Sequence, residues 1–188
     1  TVERVEGVDG EVSLADAAAR AVGERRKLFG LYGGVDGNFE SFVPVNAPGA
    51  PAATRGNAAN PSLASAVVSA LDVLAEDPDG FFLLVEQADI DWANHSNDYA
   101  RMIGCVADLE AAIKAIDAYV DRPGDELTWD NTTLLVTADH ANGYLRFGKT
   151  LGKGELPRQE VVDGHYSYPD GEISYAIGTH TNELVAVQ

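Results

Sequence analysis

Two uninterrupted apolar runs organise the middle of the chain: FFLLV at 81–85 and LLVT at 134–137, each followed by a polar cluster. A run without alternation predicts a strand covered on both faces, as in the centre of a parallel sheet. Between them, Tyr99, Met102, Ile103, Val106, Leu109, Ile113, Ile116 and Val120 recur at helical spacing, and Pro123-Gly124 closes that stripe. An earlier stripe, Leu63, Val67, Ala70, Leu71 and Leu74, follows Asn60-Pro61, which reads as a cap with a first-turn proline, and ends before the Asp77-Pro78-Asp79-Gly80 turn. Residues 13–26 predict an alanine-rich helix capped by Ser13. Residues 28–32 (LFGLY) predict a short buried strand closed by Gly33-Gly34, behind an extended entry over 1–11. Residues 35–59 hold Gly, Pro and Asn without periodicity and predict a long loop, a length that tends to be functional or mobile. A polar loop is expected over 86–97, irregular chain over 141–171, and a last strand over 184–187.

The resulting order alternates helix and strand, which predicts an α/β unit with a mainly parallel sheet flanked by helices, spanning 1–188. Binding sites in such sheets lie beyond the carboxyl ends of the strands. Both polar clusters fall there.

Charge narrows the partners. With 30 Asp and Glu against 13 Lys and Arg, the formal net charge is −17. That field repels nucleic acid and anionic membranes, and it repels a phosphate ester as well unless bound cations reverse it locally. High acidity with four lysines fits adaptation to high salt, with a merely acidic secreted protein as the other reading. No apolar run is long enough to span a membrane, and no leader with signal-peptide character opens the chain. The one cysteine, Cys105, sits on an apolar helix face and reads as a small buried hydrophobe.

Metal-ligand chemistry is concentrated in three of the four histidines. Asp91-Trp92-Ala93-Asn94-His95 places a carboxylate and an imidazole four residues apart, on one side of a helical turn or tight loop. Asp139-His140 sets the same pair at a strand end, and His180 stands in Gly178-Thr179-His180-Thr181. Mixed oxygen and nitrogen donors suit zinc, whereas oxygen donors such as Glu86 suit magnesium or calcium. Each fragment alone is more often an ion pair or a loop histidine. Their order and their placement at strand ends set them apart. His165 reads as a loop histidine, Asp89 and Asp98 as solvated, and Ser62, Ser65 and Ser69 as helix cap and surface.

The segments GFFLLVEQADIDWANH, LLVTADH and GTHTNELV resemble the alkaline phosphatase family in sequence and in order. The resemblance covers most of 57–145 and then 174–188. It implies an incomplete part of an alkaline-phosphatase-like fold, with two zinc ions and one magnesium ion. By resemblance, Asp91, His95 and His180 are the protein ligands of the first zinc. Asp139 and His140 are two of the three for the second, and Glu86 is one ligand of the magnesium. Trp92 takes a position beside the first zinc where other members carry Lys or His, and packing under the loop is its other reading. The family's nucleophilic Ser, its bridging Asp, its magnesium-binding Thr and its phosphate-binding Arg have no counterpart here.

The implied activity is hydrolysis of phosphate monoesters through a phosphoserine intermediate, with the serine outside this chain. Alternatives are a phosphodiesterase, sulfatase-like or phosphonate-cleaving relative with the same metal core, or a zinc-binding fragment without catalysis. The expected partners are phosphate monoesters, the missing amino-terminal part of the same protein and a second copy in a homodimer. The expected location is periplasmic or secreted.

Overall fold

The computed structural model describes residues 1–33, 55–124 and 126–188. Their elements, in order, are β1 (Val2–Glu3), α1 (Gly10–Gly23), β2 (Gly30–Leu31), α2 (Leu63–Leu74), α3 (Asp89–His95) and α4 (Tyr99–Val120). Six short strands follow: β3 (Ala141–Asn142), β4 (Arg146–Phe147), β5 (Glu160–Val162), β6 (His165–Ser167), β7 (Ile173–Ser174) and β8 (His180–Thr181). The loop expected over 35–59 lies outside the described residues as far as 54.

The chain gathers into two compact units. Of the described residues, one holds 1–33, 55–87, 107–124 and 126–133, and the other 88–106 and 134–188. In the first, β1 and β2 pair in parallel, Val2 opposite Gly30. Helix α1 starts before the expected Ser13, because the Asp9 carboxylate accepts from the N–H groups of Glu11 and Val12 and so caps the orphan donors of the first turn. Asn60 does not cap α2. Its Oδ1 accepts from Gly33 N–H at 3.0 Å, and Ser62 caps instead through Ser65 N–H. Val67 and Leu71 of α2 pack with Ala112 and Tyr119 of α4, and Phe81, Leu83 and Val85 close over them. Ser69, expected on the surface, is buried.

Burial along 81–86 alternates residue by residue, the period of extended chain. Phe82 and Leu84, on the other face, are 86% and 77% exposed, so this run is covered on one side only.

The second unit holds the three antiparallel ladders: β3 with β8, β4 with β7, and β5 with β6. The α/β mixture is as expected. Of the four ladders among the described residues, the β1–β2 pair is parallel. The expected strands at 134–137 and 184–187 meet edge to edge, through an antiparallel bridge from Thr137 to Val187 and paired backbone bonds between Val136 and Gln188.

The core of this unit is Ala93, Tyr99, Met102 and Ile173, with Tyr168 and Tyr175 packed against it. Cys105 is fully buried, as its helix face predicts, whereas Val106 of the same stripe is exposed. Asp89 corrects the solvated reading: it is buried and bound to Arg101 at 2.8 Å, a charge compensated where water is excluded. The expected polar loop at 86–97 contains α3, and the expected irregular stretch at 141–171 contains four short strands.

Candidate metal centre

Helix α3 is two turns long, and its four-residue spacing puts Asp91 and His95 on one face. Opposite them stands β8, where His180 faces Asn142 across the β3–β8 ladder. His95 Nε2 lies 3.2 Å from Asp91 Oδ2 and 3.2 Å from His180 Nε2, and His180 Nε2 lies 3.4 Å from Asp91 Oδ1. Donor atoms held about 2.0–2.2 Å from one ion at tetrahedral angles stand roughly 3.3–3.6 Å apart; the imidazole pair comes within about 0.1 Å of this, while the two Asp91 contacts are made by different oxygens, and one atom from each residue lies within 4.8 Å of the others. The three residues form the candidate metal-holding group found among the described residues.

The tautomer of His95 follows from its other nitrogen. Nδ1 is 2.9 Å from the carbonyl oxygen of Gly178, which can only accept, so Nδ1 carries the proton and donates. In the neutral ring Nε2 is then bare and points its lone pair at a carboxylate and a second imidazole. Bare acceptors facing one another repel unless a proton or a cation lies between them. Fixing a ligand histidine through its other ring nitrogen is the usual arrangement around protein-bound metals.

Asp139 and His140 lie just before β3. His140 stacks on His180 with ring centroids 3.6 Å apart and planes 21° apart. Its Nε2 is 3.4 Å from Asp139 Oδ2, while its Nδ1 is buried without a hydrogen-bond partner, 4.0 Å from Asp91 Oδ1. Asp139 is largely exposed, and its Oδ1 accepts from the His140 N–H. An orphaned ring nitrogen beside a carboxylate leaves donor capacity for a further ligand. Asp91, His95, Asp139, His140 and His180 are therefore brought together within the second unit. Glu86 is exposed and belongs to the first. Trp92, on α3 next to Asp91, is 55% exposed.

His165 is not in a loop. It lies on β6, whose hairpin is pinned by Tyr166 N–H donating to Ser96 O, and its Nε2 is 3.8 Å from where a Cβ on Gly178 would stand. The sequence reading also gave no role to Asn142 or to Tyr175. Asn142 Nδ2 donates to Asp91 Oδ1 at 2.6 Å, and Tyr175 donates to Asn94 Oδ1 at 3.1 Å. The one available signal for Asn142 was its position two residues after His140 in a run leaving a strand. The tyrosines gave none, because a pattern of isolated aromatics does not say which helix they reach.

The sequence model of the alkaline phosphatase family matches residues 41–184 of the chain. The chain belongs to the alkaline phosphatase family. Alkaline phosphatase 4 of Bacillus subtilis is 39% identical over 88 residues, covering 47% of this chain and 18% of that protein. Alkaline phosphatase H of Pseudomonas aeruginosa is 31% identical over 140 residues, covering 66% of this chain and 27% of that protein. Among solved structures, alkaline phosphatase from the Antarctic bacterium TAB5 is similar over 66% of this chain and 32% of its own, at 24% identity and a TM-score of 0.47. The chain thus spans about a fifth to a quarter of the length of these two curated relatives. Among its described residues no helix is long and apolar enough to cross a membrane.

Proposed function

We propose that these 188 residues carry most of the metal centre of a phosphate monoester hydrolase. In this reading Asp91, His95 and His180 hold one zinc ion, Asp139 and His140 contribute to a second, and Glu86 contributes to a magnesium ion. The observation that supports it is that one donor atom from each of Asp91, His95 and His180 lies within 4.8 Å of the other two, together with the Nδ1–H bond that leaves His95 Nε2 bare. The donor set of two imidazoles and one carboxylate suits zinc.

Bound there, the ions supply Lewis acidity for the attacking and leaving oxygens of a phosphoryl transfer. The chain's own part is positional. Gly178 holds the His95 ring, α3 fixes the Asp91–His95 spacing, and the β3–β8 ladder fixes His180 opposite them. The carboxylates set the charge of the centre, which must become net positive before a phosphate ester can approach a chain of charge −17. The phosphoryl group passes to a serine outside these residues and then to water. The partners in this reading are phosphate monoesters, an amino-terminal portion of the same polypeptide and a second copy. The place is the periplasm or the exterior.

The test is aryl phosphate hydrolysis. The isolated chain, supplied with zinc and magnesium, should show no turnover above the blank. In the longer polypeptide that the reading requires, Asp91→Ala should lower kcat/KM by at least about 100-fold, the scale on which one electrostatic stabiliser counts. Turnover by the isolated chain that disappears with chelator and with Asp91→Ala would overturn the division between this chain and the remainder. Full activity of the longer polypeptide with Asp91→Ala would overturn the metal assignment.

A further inference from the structure

We infer that Asn142 is a positioning residue that orients the Asp91 carboxylate toward the metal; this rests on the metal-centre reading above. The Asn142 side-chain amide grips Asp91 twice, donating from Nδ2 to Oδ1 at 2.6 Å and to the backbone carbonyl at 3.3 Å. Both Asp91 atoms are acceptors. The NH2 must therefore face them, and Asn142 Oδ1 is left buried without a partner. An amide held with its acceptor unsatisfied is being used for its donors.

The backbone around Asn142 is fixed from the same side. Asn142 pairs in register with His180, the next N–H, of Gly143, donates to Thr179 O, and Gly143 O accepts from Ala176 N–H and, at 3.4 Å, from Ile177 N–H. One strand residue thus ties the carboxylate of α3 to the imidazole of β8.

The grip divides the carboxylate. Oδ1 accepts from the amide while lying 3.4 Å from His180 Nε2, and Oδ2 is the oxygen 3.2 Å from the bare Nε2 of His95. A neutral donor suits the task. It favours the ionised carboxylate by hydrogen bonding but adds no formal charge to compete with a cation, as a Lys or Arg would.

Zinc affinity of the chain, measured against a competing chelator, tests the inference. The step that belongs to this centre is the one Asp91→Ala removes. Asn142→Leu keeps the branching and the number of side-chain heavy atoms and removes the donors; it should weaken that step by about 10–100-fold, the range seen when a partner of a metal ligand is lost. The circular dichroism and the melt in chelator should be unchanged. Asn142→Gln, which restores an amide donor, should recover at least part of the affinity, and Asn142→Ala replaces Asn142→Leu in the comparison if the latter does not fold. Equal zinc affinity of the original chain and the donor-less variant would overturn the inference, and so would a loss of affinity matched by an earlier melt in chelator and not recovered by Asn142→Gln. A chain that binds no zinc at all would instead sink the metal-centre reading, and the inference with it.

Discussion

At the residue scale, hydrogen bonds to groups of fixed polarity decide the chemistry of the centre. Gly178 O can only accept, so the His95 proton sits on Nδ1; both Asp91 acceptors demand the NH2 of Asn142. The same reasoning covers the buried tyrosines. Tyr168 donates to Asn97 O at 2.5 Å and accepts from Tyr99 N–H at 2.8 Å. Burial pushes its hydroxyl up from 10.0 to about 12, against the opposing pull of the Tyr99 N–H, and burial likewise raises Tyr175. A group whose folded value lies above its unfolded one stabilises fully below the unfolded value and loses that contribution as pH rises through the folded one. The chain should therefore hold its melting midpoint up to about pH 10 and lose it progressively toward pH 12, and Tyr168→Phe should flatten that limb. Melts across this range with and without Tyr168→Phe check it. An alkaline limb identical in both proteins would mean that Tyr168 ionises without regard to folding. Asp91, His95, His140 and His180 stand out as candidates in the sequence because ligand types in that order, at strand ends, resemble the family's motifs. Asn142, Tyr168 and Tyr175 do not, because their partners lie 51, 71 and 81 residues away and are chosen by the fold.

At the scale of elements, the existence of α1, α2 and α4 was legible, whereas α3 and the starts of α1 and α2 were not. The stripe from Tyr99 to Val120 coincides with α4, since its length and period leave no alternative. The caps moved because the rival candidates are chemically equivalent. Asp9 and Ser13 can both begin α1, and Asn60 and Ser62 can both begin α2, so the choice falls to neighbours. Asn60 is claimed by Gly33 N–H, whereas Ser62 Oγ accepts from Ser65 N–H and also donates to Glu11 Oε1 at 2.5 Å, linking α2 to α1. Ser62→Ala should therefore cost about 1–2 kcal/mol, at or above an ordinary cap because a second bond goes with it. Urea unfolding with an unchanged slope and a lower midpoint is the expected result. A midpoint equal to that of the parent would show that Ser62 contributes nothing to the end of α2. The expected strands fared differently. Residues 81–85 show the period-two burial of extended chain, but their second face, with Phe82 and Leu84, is bare. An apolar run states that both faces want cover without saying what provides it.

At the scale of the whole molecule, five candidate ligands from α3, the approach to β3, and β8 meet inside one compact unit of a strongly acidic chain. Carboxylates gathered in such a field repel, and a cation bound among them relieves the repulsion while stabilising the folded form by mass action. The family model matches 41–184, a span that contains all five of these side chains, and the structure brings one donor atom from each of Asp91, His95 and His180 within 4.8 Å of the others. In the proposed centre, Asp91, His95 and His180 share one zinc ion. Zinc-edge X-ray absorption of the chain loaded with one equivalent of zinc tests it most directly. Two imidazole nitrogens and carboxylate oxygen at about 2.0–2.2 Å are expected, with one imidazole fewer in His95→Ala and in His180→Ala. A first shell of oxygen alone, unchanged by either substitution, would contradict it.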